Sequence, residues 1–190
     1  MNAADSEIVR AVLEGANYQW VDGVDQADVV LLNTCAIRDN AEKRVWGRLA
    51  SLRGLDKKNG KQRVIGLLGC MAERLKARLL EEAAVDLVAG PDAYRDLPRL
   101  LQLVEGGEKA FNVQLSQDET YADIKPVRIS PDNVSAFVSI MRGCSNMCTY
   151  CIVPFTRGRE RSRPVPTIIE EIRRLADQGV KEVGMCTWQR

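Results

Sequence analysis

Three short apolar runs, each followed by a stretch with helical spacing, constrain the fold of this chain more than any other feature. The runs lie at 28–32 (DVVLL), 64–68 (VIGLL) and 85–89 (VDLVA). Their length and β-branched residues are typical of buried parallel strands. The helical stretches follow at 36–55, 71–82 and 93–104. Because strands that alternate with helices form a parallel sheet, the sequence predicts an α/β domain.

A further helix is predicted before the first strand, over 1–16, with Ile8, Val9, Val12 and Leu13 on one face. Two acids, Asp5 and Glu7, lie near its beginning. The helix dipole favours negative charge at the amino-terminal end of a helix, and both acids are consistent with a helix that begins here.

Two cysteines follow two of the predicted strands at the point where each strand ends. Cys35 follows the first run, and Cys70 follows Gly69 after the second. The carboxyl ends of parallel strands share one edge, where ligands usually bind, so we expect both cysteines at that edge. Two thiols alone specify no metal, and two unrelated buried thiols are the default interpretation of this spacing.

The alternation weakens from 106 to 133 into Gly, Pro and charged residues, which is typical of a linker. A second unit then follows, with a strand at 136–141, a cysteine-containing loop, a helix at 164–178 and a strand at 180–185. We divide the chain into an amino-terminal α/β domain (1–115), a linker (116–134) and the start of a second domain (135–190).

Cysteine chemistry is favoured by the composition. The chain has six cysteines and no histidine, so Cys/His zinc fingers and His-based acid-base catalysis are excluded. No apolar run approaches the ~20 residues of a membrane span, and residues 1–10 do not have the pattern of a secretory signal. We therefore expect an intracellular chain without a membrane partner, in which cysteines bind metal or do redox chemistry. The net charge of +1 predicts no global field for nucleic acid.

Three cysteines share one loop, RGCSNMCTYC, in which Cys144, Cys148 and Cys151 have the spacing C-x3-C-x2-C. Three thiolates in one loop can hold an iron-sulfur cluster and leave one iron open to a ligand. The alternatives are a zinc site, which would want a fourth ligand, and small buried hydrophobic side chains. Cys186 lies on the later strand, and we expect it to pack in the protein interior together with its neighbour Met185.

Four arginines follow the loop at alternate positions of FTRGRERSRP: Arg157, Arg159, Arg161 and Arg163. In an extended segment they would project to one side as a comb, which suits phosphate groups. The alternative is a loop whose arginines pair with acids elsewhere. Because the segment lies next to a loop that can bind a cofactor, we favour contacts of these arginines with RNA or with a cofactor.

The cysteine loop resembles that of the radical S-adenosylmethionine superfamily. Together with NTCAIRDNAE, GCMAERLK, AGPDAYRDLP and DETYADI, it resembles the radical S-adenosylmethionine methylthiotransferases that modify tRNA at adenosine 37. The residues of these motifs are most similar to those of the branch that acts on N6-isopentenyladenosine, at C2 of the base. The resemblance covers nearly the whole chain and implies an α/β methylthiotransferase domain followed by a partial TIM-like barrel.

The resemblance also implies site residues and cofactors. It assigns Cys144, Cys148 and Cys151 to the [4Fe-4S] cluster that cleaves S-adenosylmethionine, Tyr150 to the neighbourhood of the adenine, and Cys35 and Cys70 to an auxiliary [4Fe-4S] cluster. One S-adenosylmethionine would methylate a cluster sulfur, and a second would give the radical that removes hydrogen from C2. The implied partners are tRNA, an external electron donor and a sulfur source, in a mitochondrial or cytoplasmic compartment.

Two features depart from the family pattern. The family's third auxiliary ligand precedes a segment like MNAADSE, which here begins at Met1, and the family continues beyond the position where this chain has GMCTWQR. We therefore expect a truncated chain with an incomplete barrel, no carboxyl-terminal RNA-binding TRAM domain and impaired activity. The alternative function is a non-catalytic regulatory protein, for example one that binds a kinase activator.

Overall fold

The computed structural model describes residues 2–35, 39–76, 78–82, 85–129 and 134–187. In its amino-terminal part the elements are α1 (Asn2–Gly15), β1 (Val29–Thr34), α2 (Asp39–Asn59), β2 (Val64–Gly69), α3 (Cys70–Leu75), α4 (Arg78–Glu82), β3 (Leu87–Ala89), a 3-10 turn (Tyr94–Asp96), α5 (Leu97–Glu105) and β4 (Ala110–Asn112). In its carboxyl-terminal part they are β5 (Ser135–Ser139), β6 (Met141–Arg142), α6 (Val153–Arg157), β7 (Arg161–Ser162), α7 (Val165–Asp177) and β8 (Glu182–Cys186).

A parallel sheet with strand order β1-β2-β3-β4 forms the first part of the molecule. The predicted α/β class is therefore confirmed. The fourth strand lies inside the stretch 106–133 that we expected to be irregular. The sequence does not predict it, because its three residues (AFN), with Ala110 opposite Leu87, form no β-branched apolar run of the kind that marks β1 to β3.

Helices cover both faces of this sheet. On one face, Leu49 and Leu52 of α2 and Leu79 of α4 pack against Ile65 and Leu67. On the other face, α1 and α5 contribute a second buried cluster with residues of β2 and β3: Ile8, Val9, Leu68, Leu87, Leu97, Leu100 and Leu101. This burial explains why the strands are apolar without alternation, since both of their faces are removed from water.

The predicted helix over 71–82 is two helices. Lys76 ends α3 with a positive φ of 49° and donates its backbone N–H to the carbonyl of Ala72. A non-glycine residue rarely adopts this conformation, and the leucine spacing of the segment continues across the break. The spacing of the hydrophobic residues therefore does not predict the break at Lys76.

The second part contains a two-stranded parallel sheet, β5 with β8, and a short antiparallel pair, β6 with β7. The helix α7 covers one face, where Leu175 packs with Ala136 and Val138. Cys186 is half-buried, but Met185 is exposed, so the interior position predicted for Met185 is wrong. Met185 is the register partner of Val138, but it lies on an edge strand of a two-stranded sheet, where its side chain stays largely exposed.

None of the described helices is long and apolar enough to cross a membrane.

Candidate functional site

The first component of the site is the edge at which β1 and β2 end. Thr34 is the register partner of Gly69, so Cys35 and Cys70 directly follow paired residues of neighbouring strands. The predicted common edge of the two cysteines is thereby confirmed. Cys35 is half-buried, whereas Cys70 is only 3% exposed and is the first residue of α3.

Gly69 is required at this edge for two reasons. Its φ is +88°, and a Cβ at this position would lie 2.6 Å from the carbonyl oxygen of Thr34. The Thr34 hydroxyl donates a 2.7 Å hydrogen bond to the carbonyl of Leu68. The ends of β1 and β2 therefore approach each other closely, and the chain turns at Gly69 and enters α3 at Cys70.

The second component is the three-cysteine loop, taken here as the segment from Gly143 to Gly158, which follows β6 and includes α6. Its ends are joined by a 3.1 Å hydrogen bond from the backbone N–H of Cys144 to the carbonyl of Gly158. Gly143 has φ +69°, and a Cβ there would lie 2.0 Å from the carbonyl oxygen of Arg159. Within the loop, the N–H of Cys151 donates to the carbonyl of Cys148. The loop is thus closed by its own backbone.

The three thiols differ in exposure. Cys144 is buried, Cys151 is half-buried and Cys148 is exposed, while the side chain of Tyr150 stands out from the loop at 91% exposure. In the described part of the chain no three Cys, Asp or Glu side chains come close enough together to hold a metal ion. The donors nevertheless fit an iron-sulfur group, because the loop offers three thiols and no carboxylate. The roles of these cysteines and of Tyr150 stay predictions.

The arginines after the loop do not form an extended comb. Residues 153–157 form α6, and the arginines at 157, 161 and 163 pair with carboxylates. Arg161 lies 2.8 Å from Asp92, and Arg163 lies 2.7 Å from Glu171. Arg159 is exposed. The one-sided projection expected from their spacing is therefore wrong, because it assumed an extended backbone. Contact of any of the four with RNA or a cofactor stays a prediction.

Asp5 of α1 is bound to both ends of the cysteine loop. One carboxylate oxygen lies 2.9 Å from Arg142, which directly precedes the loop, and the other lies 2.5 Å from Arg157, the last residue of α6. All three side chains are at most 2% exposed. Burial by itself would raise the pKa of Asp5, but the two guanidinium groups outweigh burial and hold the pKa below its usual value. Asp5 is therefore an ionised carboxylate inside the protein.

Further partners complete the environment of Arg142. Its guanidinium lies 3.6 Å from Glu119 and 4.5 Å from the centre of the Tyr121 ring. Tyr121 donates its hydroxyl hydrogen to the carbonyl of Pro91, accepts the backbone N–H of Tyr94 and stacks on the Tyr94 ring. The segment 116–129, predicted to be a linker, thus contributes buried groups beside the loop.

Arg157 joins the two components of the site. Its Nε atom donates a 3.0 Å hydrogen bond to the sulfur of Cys70. The same guanidinium binds Asp5. The backbone carbonyl of Arg157 accepts a 2.8 Å hydrogen bond from the Arg161 guanidinium. The contact places a buried positive charge directly beside the sulfur at the strand end. The sequence suggested neither this contact nor the paired role of Asp5, because the residues are far apart along the chain.

Glu73 is a second buried acid near Cys70 that sequence reasoning missed. It lies one turn further along α3, is 2% exposed, and its Oε2 atom is buried without a hydrogen-bond partner among the described residues. A Cβ on Gly90 would lie 2.4 Å from this oxygen, so α3 and the end of β3 are in close contact. Burial is the main cause that raises the pKa of Glu73 to about 7; Lys76, at 3.9 Å, opposes the shift, and Asp92 adds to it.

Two known families match separate parts of the chain. Residues 1–90 match the family described as "Uncharacterized protein family UPF0004", and residues 138–189 match the "Radical SAM superfamily". The cysteines of the sheet edge lie in the first match, and those of the loop lie in the second.

Individual relatives match almost the whole chain. The "Mitochondrial tRNA methylthiotransferase CDK5RAP1" of Rattus norvegicus is 60% identical over 189 residues, which is 97% of this chain and 32% of that protein. The human protein of the same name is 56% identical over 94% of this chain and 30% of its own length. The "tRNA-2-methylthio-N(6)-dimethylallyladenosine synthase" of Chloroherpeton thalassium is 56% identical over 97% of this chain and 41% of its own length. The chain spans about a third of these relatives.

Among solved structures, the radical S-adenosylmethionine methyltransferase TsrM from Kitasatospora setae matches with a TM-score of 0.61. The match covers 97% of this chain and 44% of that one, at 14% sequence identity. This similarity supports the fold alone.

Proposed function

Because this chain belongs to the radical S-adenosylmethionine tRNA methylthiotransferase family, we propose that it forms part of an enzyme that adds a methylthio group to C2 of N6-isopentenyladenosine at position 37 of tRNA. The observation that carries this proposal is the closed three-cysteine loop, held at both ends by Asp5 and tied by Arg157 to the strand-end residue Cys70.

Two cofactors follow from the family, S-adenosylmethionine and a [4Fe-4S] cluster. When bound, the cluster supplies the electron that cleaves S-adenosylmethionine to a carbon radical. We propose that Cys144, Cys148 and Cys151 hold this cluster, and that Cys35 and Cys70 contribute ligands to an auxiliary one. An external electron donor and a sulfur source are then required. We also propose a mitochondrial location, which the names of the rat and human relatives support.

The residues of the chain do positioning work in this proposal. The hydrogen bond between Cys144 and Gly158 fixes the separation of the loop ends, and Asp5 holds both arginines that flank them. Tyr150 is exposed beside two of the thiols, where its ring is available to a planar base such as adenine. Holding the reacting groups in one arrangement lowers the entropic part of the barrier, which is the main contribution of such a scaffold.

Anaerobic reconstitution with iron and sulfide tests the proposal. We expect the purified protein to bind iron and to release 5'-deoxyadenosine from S-adenosylmethionine in the presence of a strong reductant. The variant Cys144→Ala/Cys148→Ala/Cys151→Ala should lose the cleavage of S-adenosylmethionine and the iron that the loop binds. The matched control is Cys186→Ala, which removes a half-buried thiol on β8 and should change neither.

The substrate is tested with tRNA that carries or lacks the isopentenyl group at the target adenosine. Mass spectrometry of the digested tRNA should detect the methylthio product only where the isopentenyl group is present. A protein that binds no iron, or a triple cysteine variant that still cleaves S-adenosylmethionine, would contradict the proposal. No observation on the described residues favours the non-catalytic alternative.

A further inference from the structure

The outward face of α2 carries a concentration of positive charge that the cysteine site does not use. The helix has six basic and three acidic residues, whereas the whole chain is nearly balanced, with 27 and 26. Two of the acids are paired and at least half-buried, Glu42 with Arg74 and Asp56 with Arg63. Among the described side chains of α2, no exposed one is acidic. The face that meets water is therefore basic.

Three cations of this face lie close together near the beginning of the helix. Lys43, Arg44 and Arg48 are exposed, and the ion pairs and side-chain hydrogen bonds between the described residues include none of them. Arg44 and Arg48 are four residues apart, so their side chains are neighbours on one side of the helix. By contrast, Arg161 and Arg163 beyond the cysteine loop are both paired with carboxylates.

A glycine lies between these two arginines without a structural requirement for it. Gly47 is inside α2, and a Cβ at this position would meet nothing within 4 Å. Glycine inside a helix costs about 1 kcal/mol relative to alanine. One use of glycine is to let a ligand approach the backbone closely. We call Lys43, Arg44, Gly47 and Arg48 the α2 patch.

The α2 patch lies at the end of the helix that faces the cysteine site. The ion pair between Glu42 and Arg74 holds the first turns of α2 against α3, which begins with the strand-end residue Cys70. At 1.5 Å per residue, Arg48 is roughly 14 Å along the helix axis from its beginning, and Lys58 is roughly 29 Å along it. The patch and the cysteines of the sheet edge are therefore neighbours.

We propose that the α2 patch binds phosphate groups of tRNA and orients the RNA at the cysteine site. This inference rests on the proposed function, since it takes tRNA as the substrate. Guanidinium groups bind phosphates with two hydrogen bonds, and contacts to the RNA backbone fix its register and orientation. When one base enters the site, the phosphates of its strand stay outside. A row of cations around an open glycine suits such a continuous chain of phosphates better than the separate carboxylates of an acidic protein.

The test measures the binding of labelled tRNA by fluorescence anisotropy over a range of salt concentrations, with the protein produced from its complete coding sequence. The patch variant is Lys43→Gln/Arg44→Gln/Arg48→Gln. Each phosphate contact contributes about 0.7 to the slope of log affinity against log salt for a single strand. Loss of three contacts should therefore lower the slope by about 2 and weaken binding roughly a hundredfold at about 0.1 M salt, with little effect near 1 M.

The matched control removes the same charge elsewhere. Lys57→Gln/Lys58→Gln/Arg173→Gln changes exposed residues at the far end of α2 and on α7, and should change the affinity by less than about threefold, since distant exposed charges are screened. All of these positions are exposed, and equal melting temperatures show that the variants have kept the fold.

A second pair of variants separates close approach from charge. Gly47→Leu should weaken tRNA binding without lowering the melting temperature, because leucine is the better helix former. Gly54→Leu, two turns further along α2 and equally open, should leave binding unchanged. In the unsubstituted protein, bound tRNA should protect Lys43 from an acetylating reagent and leave Lys57 and Lys58 reactive, which mass spectrometry measures.

The outcomes separate the inference from the proposed function. A patch variant that binds tRNA as well as the control overturns the inference and leaves the proposed function standing. Equal weakening for duplex DNA of the same length would show a general polyanion surface and would also overturn it. An unsubstituted protein that holds iron but binds no tRNA overturns the inference together with the tRNA part of the proposed function.

Discussion

The substitution Glu73→Gln should stabilise this protein at alkaline pH and leave its stability nearly unchanged at acidic pH. The carboxyl group is 2% exposed, one of its oxygens has no hydrogen-bond partner among the described residues, and burial raises its pKa to about 7. In the unfolded chain the pKa returns to the ordinary value of 4.5. Glutamine has a similar shape and never ionises.

The sign of the effect follows from proton binding. Between pH 4.5 and about 7 the folded protein keeps the proton of Glu73 while the unfolded chain releases it, so the free energy of unfolding falls as the pH rises. Above about pH 7 the folded protein carries a buried charge and the full penalty is present. At 1.36 kcal/mol per pKa unit, the difference between 4.5 and about 7 corresponds to about 3.4 kcal/mol.

Urea denaturation at about pH 5 and about pH 8.5 measures this effect. We expect Glu73→Gln to exceed the wild type in free energy of unfolding by about 3 kcal/mol at the higher pH and to differ little at the lower pH. The control is Glu81→Gln on α4, an exposed position, where a change within about 0.5 kcal/mol is expected at both pH values. A benefit of Glu73→Gln that is equal at both pH values, or larger at pH 5, would refute the reasoning.

Three further predictions concern the loop and the core. Gly143→Ala should destabilise the protein by about 2 kcal/mol or more and lower iron binding, because a Cβ would lie 2.0 Å from the Arg159 carbonyl oxygen at a φ of +69°. Calorimetry measures the stability and iron analysis the binding, and an unchanged melting temperature would contradict this prediction. Asp5→Asn should cost about 3 to 5 kcal/mol at neutral pH, since it leaves two buried guanidinium groups without their shared carboxylate; urea denaturation tests this, with the exposed Asp22→Asn as control. Leu97→Ala on α5 should cost about 2 to 5 kcal/mol, because Leu97 is fully buried, and an unchanged urea midpoint would contradict it.

The repeated strand-helix pattern predicted the sheet because it depends on residues that are close in the sequence. The runs before Cys35 and Cys70 form β1 and β2, and their register places the two cysteines at one edge. That inference needed only the general geometry of parallel sheets. The break at Lys76 was not predicted, since its backbone conformation leaves no mark on the hydrophobic period.

The arginine segment shows why the interior of the site could not be predicted. Alternate spacing implies one-sided projection only for an extended chain, whereas Pro154 lies in the first turn of a short helix that turns Arg157 inward. The acids that receive the arginines, Asp5 and Asp92, are distant along the chain. Ion pairs between distant residues depend on the tertiary fold, and the sequence pattern contains only local information.

The ionic contacts also make the two parts of the chain interdependent. Asp5 and Cys70 lie within the region that matches one family, and Arg142 and Arg157 lie within the region that matches the other. A buried ion pair adds little net stability against an apolar pair of the same shape, but loss of one partner leaves an uncompensated buried charge. Either part alone would therefore retain unpaired ionic groups on a surface that the fold buries. The same contacts that bring the cysteine loop to the sheet edge thus oppose separation of the two parts.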